Sequence, residues 1–203
     1  MARRMSRAAL TDLREQLAQE SARLMIEHGI VDYGLAKRKA AERLAVSTLG
    51  ALPSNAQIET CLAERQRIFE PEIQAERVRY LREVSLDLMR QLRMFEPRLV
   101  GPVLAGTATI NSAIELHLFA GGAELVAGVL ETQGFIPSAS ERRFRFGGGR
   151  QVSVPAFRFR ALGEPVLAPV FAEQGLREAP LSSVDQRPMT RASIRRVEEL
   201  IGE

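Results

Sequence analysis

Glu115 and His117 are the residues best placed to do chemistry, because an acid and an imidazole two apart on an extended chain project from the same face. Such a pair acts as acid and base, or supplies two ligands to a metal. No third ligand stands near them in sequence, and the commoner explanation of the pattern is a polar strand face. Just upstream, Gly106-Thr107 lets the backbone approach a ligand closely and places a hydroxyl within reach of a phosphate oxygen; the plainer reading is a turn. Downstream, Arg142, Arg143, Arg145, Arg150, Arg158 and Arg160 surround Gly147-Gly148-Gly149. On extended strands Arg143 and Arg145 share a face, as do Arg158 and Arg160, and such pairs grip phosphates bidentately, although a solvated face gives the same pattern. The triple glycine leads into no helix and lacks the P-loop lysine, so it is not a phosphate-binding fingerprint.

The other reactive types carry less. Cys61 lies in an apolar helical stretch with no histidine nearby and reads as a small buried hydrophobe. His28 closes the first helix, where positive charge suits the dipole. The chain contains no Gly-x-Ser-x-Gly elbow. Asp185, in the extended Pro180–Pro188 stretch, is the acid available to fold back toward Glu115.

The elements that must position these residues change character along the chain. Residues 9–28 form an amphipathic helix with Leu13, Leu17, Leu24 and Met25 on one face, stopped by Gly29. Asp32 caps a second helix carrying Lys37-Arg38-Lys39, a cluster able to touch phosphates but more simply a charged helix face. Residues 47–53 form a loop. Ser54-Asn55-Ala56-Gln57 has capping-box spacing and opens a third helix, with Ile58, Leu62 and Phe69 turned to a core. Pro71 begins the longest helix, which runs to about Phe95 on the stripe Leu81, Val84, Leu88, Leu92 and is closed by Pro97. Beyond it come an apolar run at 99–104, a strand at 114–119, a helix at 123–133, strands at 142–146, 152–160 and 166–171, a turn-rich tail, and a short helix at 193–200. Helices first and strands later predict an α+β protein, with a helical region over 1–96 and a mixed β-sheet with flanking helices over 97–203. Ala40–Ser47 is similar to the first helix and turn of a helix-turn-helix reader, but Gly50 and Pro53 place any recognition helix too late.

The stretch Val103–Leu116, VLAGTATINSAIEL, resembles the signature of polymerase-beta-type nucleotidyltransferases. In that family a strand ends in Gly-Ser, a second strand carries two acids separated by one apolar residue, and a third acid comes from a later strand. The resemblance places Gly106 and Thr107 at the Gly-Ser positions and Glu115 at the second acid, while Ala113 stands where the first should be. The strands at 152–160 and 166–171 contain no acid, and Glu164 and Glu173 flank the latter without a ligand's placement. It implies nucleotide binding through Gly106, Thr107, Arg143 and Arg145, and a Mg²⁺ site reduced to Glu115, with Asp185 as the candidate second ligand. One carboxylate does not hold two divalent ions, since Mg²⁺ sheds its hydration reluctantly. The expectation is therefore a pseudoenzyme-like nucleotidyltransferase fold that binds a nucleotide, RNA or a protein more readily than it catalyses transfer. The alternatives are an active Mg²⁺-dependent enzyme using acids outside the motif, Asp185 or Glu173, and a non-catalytic adaptor.

Composition is compatible with this. Of 203 residues 45% are apolar, enough for a real core, while 5% are aromatic, with no tryptophan, so base-stacking platforms are scarce. The net charge of +3 is a mild pointer to anionic partners. One cysteine excludes an internal disulfide and suits a reducing compartment. The basic start Met1–Arg7 is followed by no apolar segment, and no window reaches membrane-span length, so the expectation is a cytoplasmic protein without a membrane partner.

Overall fold

A computed structural model of the chain describes residues 7–46, 51–69 and 71–202. The basic residues Met1–Ser6, the 47–50 part of the expected loop and the side chain of Phe69 lie outside it. The architecture is α+β, as the order of patterns predicts: four helices, then a mixed five-stranded sheet interleaved with three more. No described helix is long and apolar enough to cross a membrane.

The described residues fall into two compact units. The first comprises those up to Gln74 together with Thr109–Asn111 and Ser183–Asp185. Its helices are α1 (Arg7–His28), α2 (Tyr33–Arg43) and α3 (Asn55–Phe69). Asp32 caps α2 by accepting from the Leu35 amide at 2.6 Å. Ser54 and Gln57 complete the expected box: the Gln57 amide donates to Ser54 Oγ at 3.1 Å, and the Ser54 amide donates to Gln57 Oε1 at 2.9 Å. Alanines let these helices approach closely: Ala18 and Ala22 of α1 pack with Ala36, Ile58 and Leu62, while Leu17 and Leu24 meet Ala40, Ala41 and Ala51. Cys61 borders the former cluster half-buried, and burial, with Glu64 and Glu15 nearby, pushes its thiol up, as suits a packing residue.

The second unit contains Ala75–Ala108, Ser112–Ser182 and the residues after Asp185. The division thus falls at 74/75 and not at Pro97, because the apolar stripe of α4 (Pro71–Gln91) belongs to the core of the sheet: Leu81, Val84, Leu88 and Leu92 are buried with Leu116, Leu118, Phe157 and Phe159. The helix ends earlier than Phe95. A 3₁₀ turn occupies Arg93–Phe95, and Glu96 takes a left-handed φ of 46° before Pro97.

The apolar run at 99–104 is not one strand. β1 (Arg98–Val100) gives way at Gly101 to α5 (Gly101–Ala105). After β2 (Ile114–Phe119), α6 (Ala123–Thr132) leads to β3 (Ser138–Arg145), β4 (Gln151–Ala161) and β5 (Glu164–Phe171), and α7 (Ile194–Gly202) ends the fold. The strand order is β1-β2-β5-β4-β3, with β2 and β5 parallel and every other pair antiparallel. Helical side chains from α4, α6 and α7 cover one face, the core face, where Leu99, Ile114, Leu116, Leu118, Val166 and Ala168 are buried.

Candidate functional site

Because Ile114, Leu116 and Leu118 enter the core, strand alternation sends Glu115, His117 and Phe119 to the other face. Register extends that face. Val100 and Arg98 of β1 stand opposite Glu115 and His117, and Leu167 and Phe171 of β5 opposite Glu115 and Phe119. Arg158 and Ala156 of β4 follow beside Leu167 and Pro169, and β3 adds Arg142 and Phe144, paired with Val154 and Val152. Glu115 is the one acid that the strands place on this face.

The expected solvated pair is not what the fold builds. His117 is 0% exposed, its ring centroid 5.4 Å from that of Phe144 and 4.7 Å from that of Phe171. Phe119, Phe146, Val154 and Phe171 form a second apolar cluster here, so the polar face of β2 is covered at this end. His117 Nδ1 accepts from Arg191 Nε at 3.1 Å. The ring proton therefore sits on Nε2, whose N–H finds no acceptor among the described residues. Burial, reinforced by the charges of Arg191 and Arg142, pushes the imidazole down to about 3, so it is neutral at ordinary pH.

Arg191 arrives from the tail and ties it down. Its Nη1 donates to the carbonyls of Gly175 at 2.9 Å and Glu178 at 3.3 Å. Its guanidinium lies 5.1 Å and 5.3 Å from the ring centroids of Phe119 and Phe171. No carboxylate pairs with it among the described residues, and burial, with Arg98 adding repulsion, brings it down to about 10.

Glu115 is half-buried and has no hydrogen bond or ion pair among the described residues. Burial pushes its carboxyl up, against the opposing pull of Arg142. The glycine that approaches it is Gly101. With φ at +71°, a Cβ there would lie 3.3 Å from the Glu115 carboxyl carbon. Gly106, expected to end the first strand, instead closes α5 with φ at +82°, and the Thr107 amide donates to the Pro102 carbonyl at 3.0 Å. The strand ends five residues earlier than expected, at Val100, and the residue that follows it is Gly101 in place of Gly106.

Arg143 and Arg145 pair with Ser153 and Gln151 and project from the face opposite Glu115; the β3 arginine on the Glu115 face is Arg142. Phe144 decides this, since it belongs to the covered cluster and its two neighbours must turn away. Asp185 falls in the first unit and Glu115 in the second. Glu164 begins β5, and both its oxygens accept from Arg77 at 2.7 Å, which holds its carboxyl below the usual range. Glu173 opens a short 3₁₀ turn and is exposed. No three His, Cys, Asp or Glu side chains gather as a metal site among the described residues.

Sequence reasoning counted Arg142 among the basic set without choosing it for the site, and passed over Gly101 and Arg191. What they surround is one lone carboxylate, a neutral buried imidazole, and guanidinium groups without counter-ions, an arrangement that attracts anions more readily than cations. No family model, no curated protein and no solved structure matches the chain.

Proposed function

We propose that the second unit is a nucleotidyltransferase-like fold with a degraded two-metal site, which binds a nucleotide by its phosphates and does not efficiently transfer it. The observation that carries this reading is the isolation of Glu115. The strand neighbours that face it are Val100 and Leu167, while the charge that acts against its burial is that of Arg142, which makes no ion pair among the described residues. Mg²⁺ does not fit this donor set. A single carboxyl whose proton is favoured by burial, with a guanidinium acting on it, offers a hard dication neither the oxygens nor the negative charge it needs. The same surroundings suit a phosphate, which a guanidinium binds by two parallel hydrogen bonds.

Thermal unfolding with each of the four nucleoside triphosphates, in Mg²⁺ and in chelator, tests this. A ligand that binds the folded state alone raises the melting temperature, by about 2.7 kcal/mol of stabilisation at a hundredfold excess over Kd. The expected result is a shift with at least one nucleotide that persists in chelator and disappears in Arg142→Ala. A shift that requires Mg²⁺ refutes the degraded-site reading, and no shift with any nucleotide refutes nucleotide binding.

A further inference from the structure

A second anionic partner is indicated on the opposite face of the same sheet. The β3–β4 hairpin, from Ser138 to Arg160, holds six arginines and one acid, Glu141. Its surplus of five exceeds the net +3 of the whole chain, so the remainder is slightly acidic and the positive charge is concentrated here. From Gln151 to Pro155, β4 is paired with β3 alone, as the ladder to β5 begins at Ala156. This end of the hairpin is thus a two-stranded ribbon. One side of the ribbon is apolar and held down: Phe144, Phe146, Val152 and Val154 pack with Phe119 and Phe171. The other side presents Arg143 and Arg145 beside Ser153 and Gln151, all exposed, with one acid, Glu141, whose Oε2 accepts from Ser153 Oγ at 3.0 Å.

Neither the Arg143 nor the Arg145 guanidinium has a hydrogen bond or ion pair among the described residues, whereas Arg150 pairs with Glu178 and Arg160 donates to the Gly163 carbonyl. Residues i and i+2 of a strand are about 6.6 Å apart, comparable with the spacing of successive phosphates along one nucleic-acid strand. The tail braces the ribbon, the Leu181 amide donating to the Arg145 carbonyl at 2.7 Å, so the two guanidinium groups project from a fixed backbone.

We infer that this ribbon face docks on the phosphodiester backbone of a double-stranded nucleic acid. Duplex is favoured over single strand because the hairpin's aromatic rings face the interior and leave no stacking surface beside the arginines. A two-stranded ribbon also has the cross-section that a duplex groove admits. Recognition is by charge, so it is independent of sequence and steeply dependent on salt. The inference does not rest on the Glu115 site: nucleotide binding there and duplex binding here fail separately.

Fluorescence anisotropy of the full chain with labelled duplex DNA, duplex RNA and single-stranded DNA, over a salt series, tests it. The expected result is binding to a duplex that weakens with salt. In Arg143→Ala/Arg145→Ala the log–log slope falls by about 1.8, so that between about 50 and 200 mM salt the variant loses about twelvefold less affinity than the parent. Arg143→Lys/Arg145→Lys keeps the parent slope, and Arg195→Ala/Arg196→Ala, on α7, leaves affinity and slope unchanged. An unchanged slope in the alanine variant overturns the inference, as does absence of duplex binding at low salt. Polyglutamate competing as well as duplex, or single strands binding more tightly, also overturns it.

Discussion

Acidification from pH 7 to pH 5 is expected to weaken the protein through His117 in particular. Its folded-state pKa is depressed to about 3 by burial and by Arg191 and Arg142, while the unfolded chain titrates near 6.5. Between those values the unfolded state carries the extra proton, so the contribution is fully present above about pH 6.5 and is lost as pH falls toward 3. Proton linkage for one group with these two pKa values gives about 2 kcal/mol lost between pH 7 and 5. Other groups titrate in the same interval, and Glu115 pulls the other way: its raised folded-state pKa makes its burial cost stability as pH rises through that value. The measurement is therefore a difference. Urea unfolding of the parent and of His117→Gln is followed at half-unit steps over this range. Glutamine does not ionise and its amide oxygen can accept from Arg191, and every other group, His28 included, is common to both proteins. The parent should lose about 2 kcal/mol more than the variant. Parallel profiles would refute the argument, since they would mean that His117 protonates in the folded protein as easily as in the unfolded one.

Two further outcomes are expected. Arg191→Ala should cost about 2 kcal/mol in urea unfolding, the buried Nδ1 of His117 losing its donor while the Gly175 and Glu178 carbonyls are left to water; Arg191→Lys should recover only part, because one ammonium cannot reach all three acceptors, and an alanine variant within 0.5 kcal/mol of the parent would show that the tail is held elsewhere. Gly101→Ala should cost about 1–2 kcal/mol, from the left-handed backbone and the displaced Glu115 carboxyl, whereas Gly134→Ala, whose Cβ would meet nothing within 4 Å, should cost only the backbone share; equal losses would refute the close approach.

Much of the scaffold is legible in the sequence because its signals are local. Asp32, the Ser54–Gln57 box and the alternation Ile114-Leu116-Leu118 each act within a few residues, and each appears in the fold where local chemistry puts it. The site is less legible because its burial depends on distant partners. Phe144, Phe171 and Arg191 enclose His117 from three other segments, and nothing near His117 in sequence announces them. The 99–104 run conceals a strand-to-helix change because six apolar residues are too few for period 2 and period 3.6 to be told apart; Gly101-Pro102, a left-handed residue before a favoured first-turn proline, was the available signal. Arginine parity was also readable: Phe144 between Arg143 and Arg145 assigns the packed side of β3 to Arg142.

The rim of the sheet has a consequence for how the protein behaves in concentrated solution. Any strand with an unpaired side invites a second molecule to add to it. At the β1 end the amides and carbonyls of Leu99 and Ala192 exchange two hydrogen bonds of 2.9 Å, so part of that rim is already occupied by the chain's own tail. At the β3 end, among the described residues, Leu181 occupies the Arg145 position, and repulsion between the arginine side chains of two approaching copies guards the rest. Neutralising Arg143 and Arg145 removes that guard, so variants made to probe partner binding should self-associate at concentrations where the parent stays dispersed, and light scattering of the two at matched concentration would register the difference.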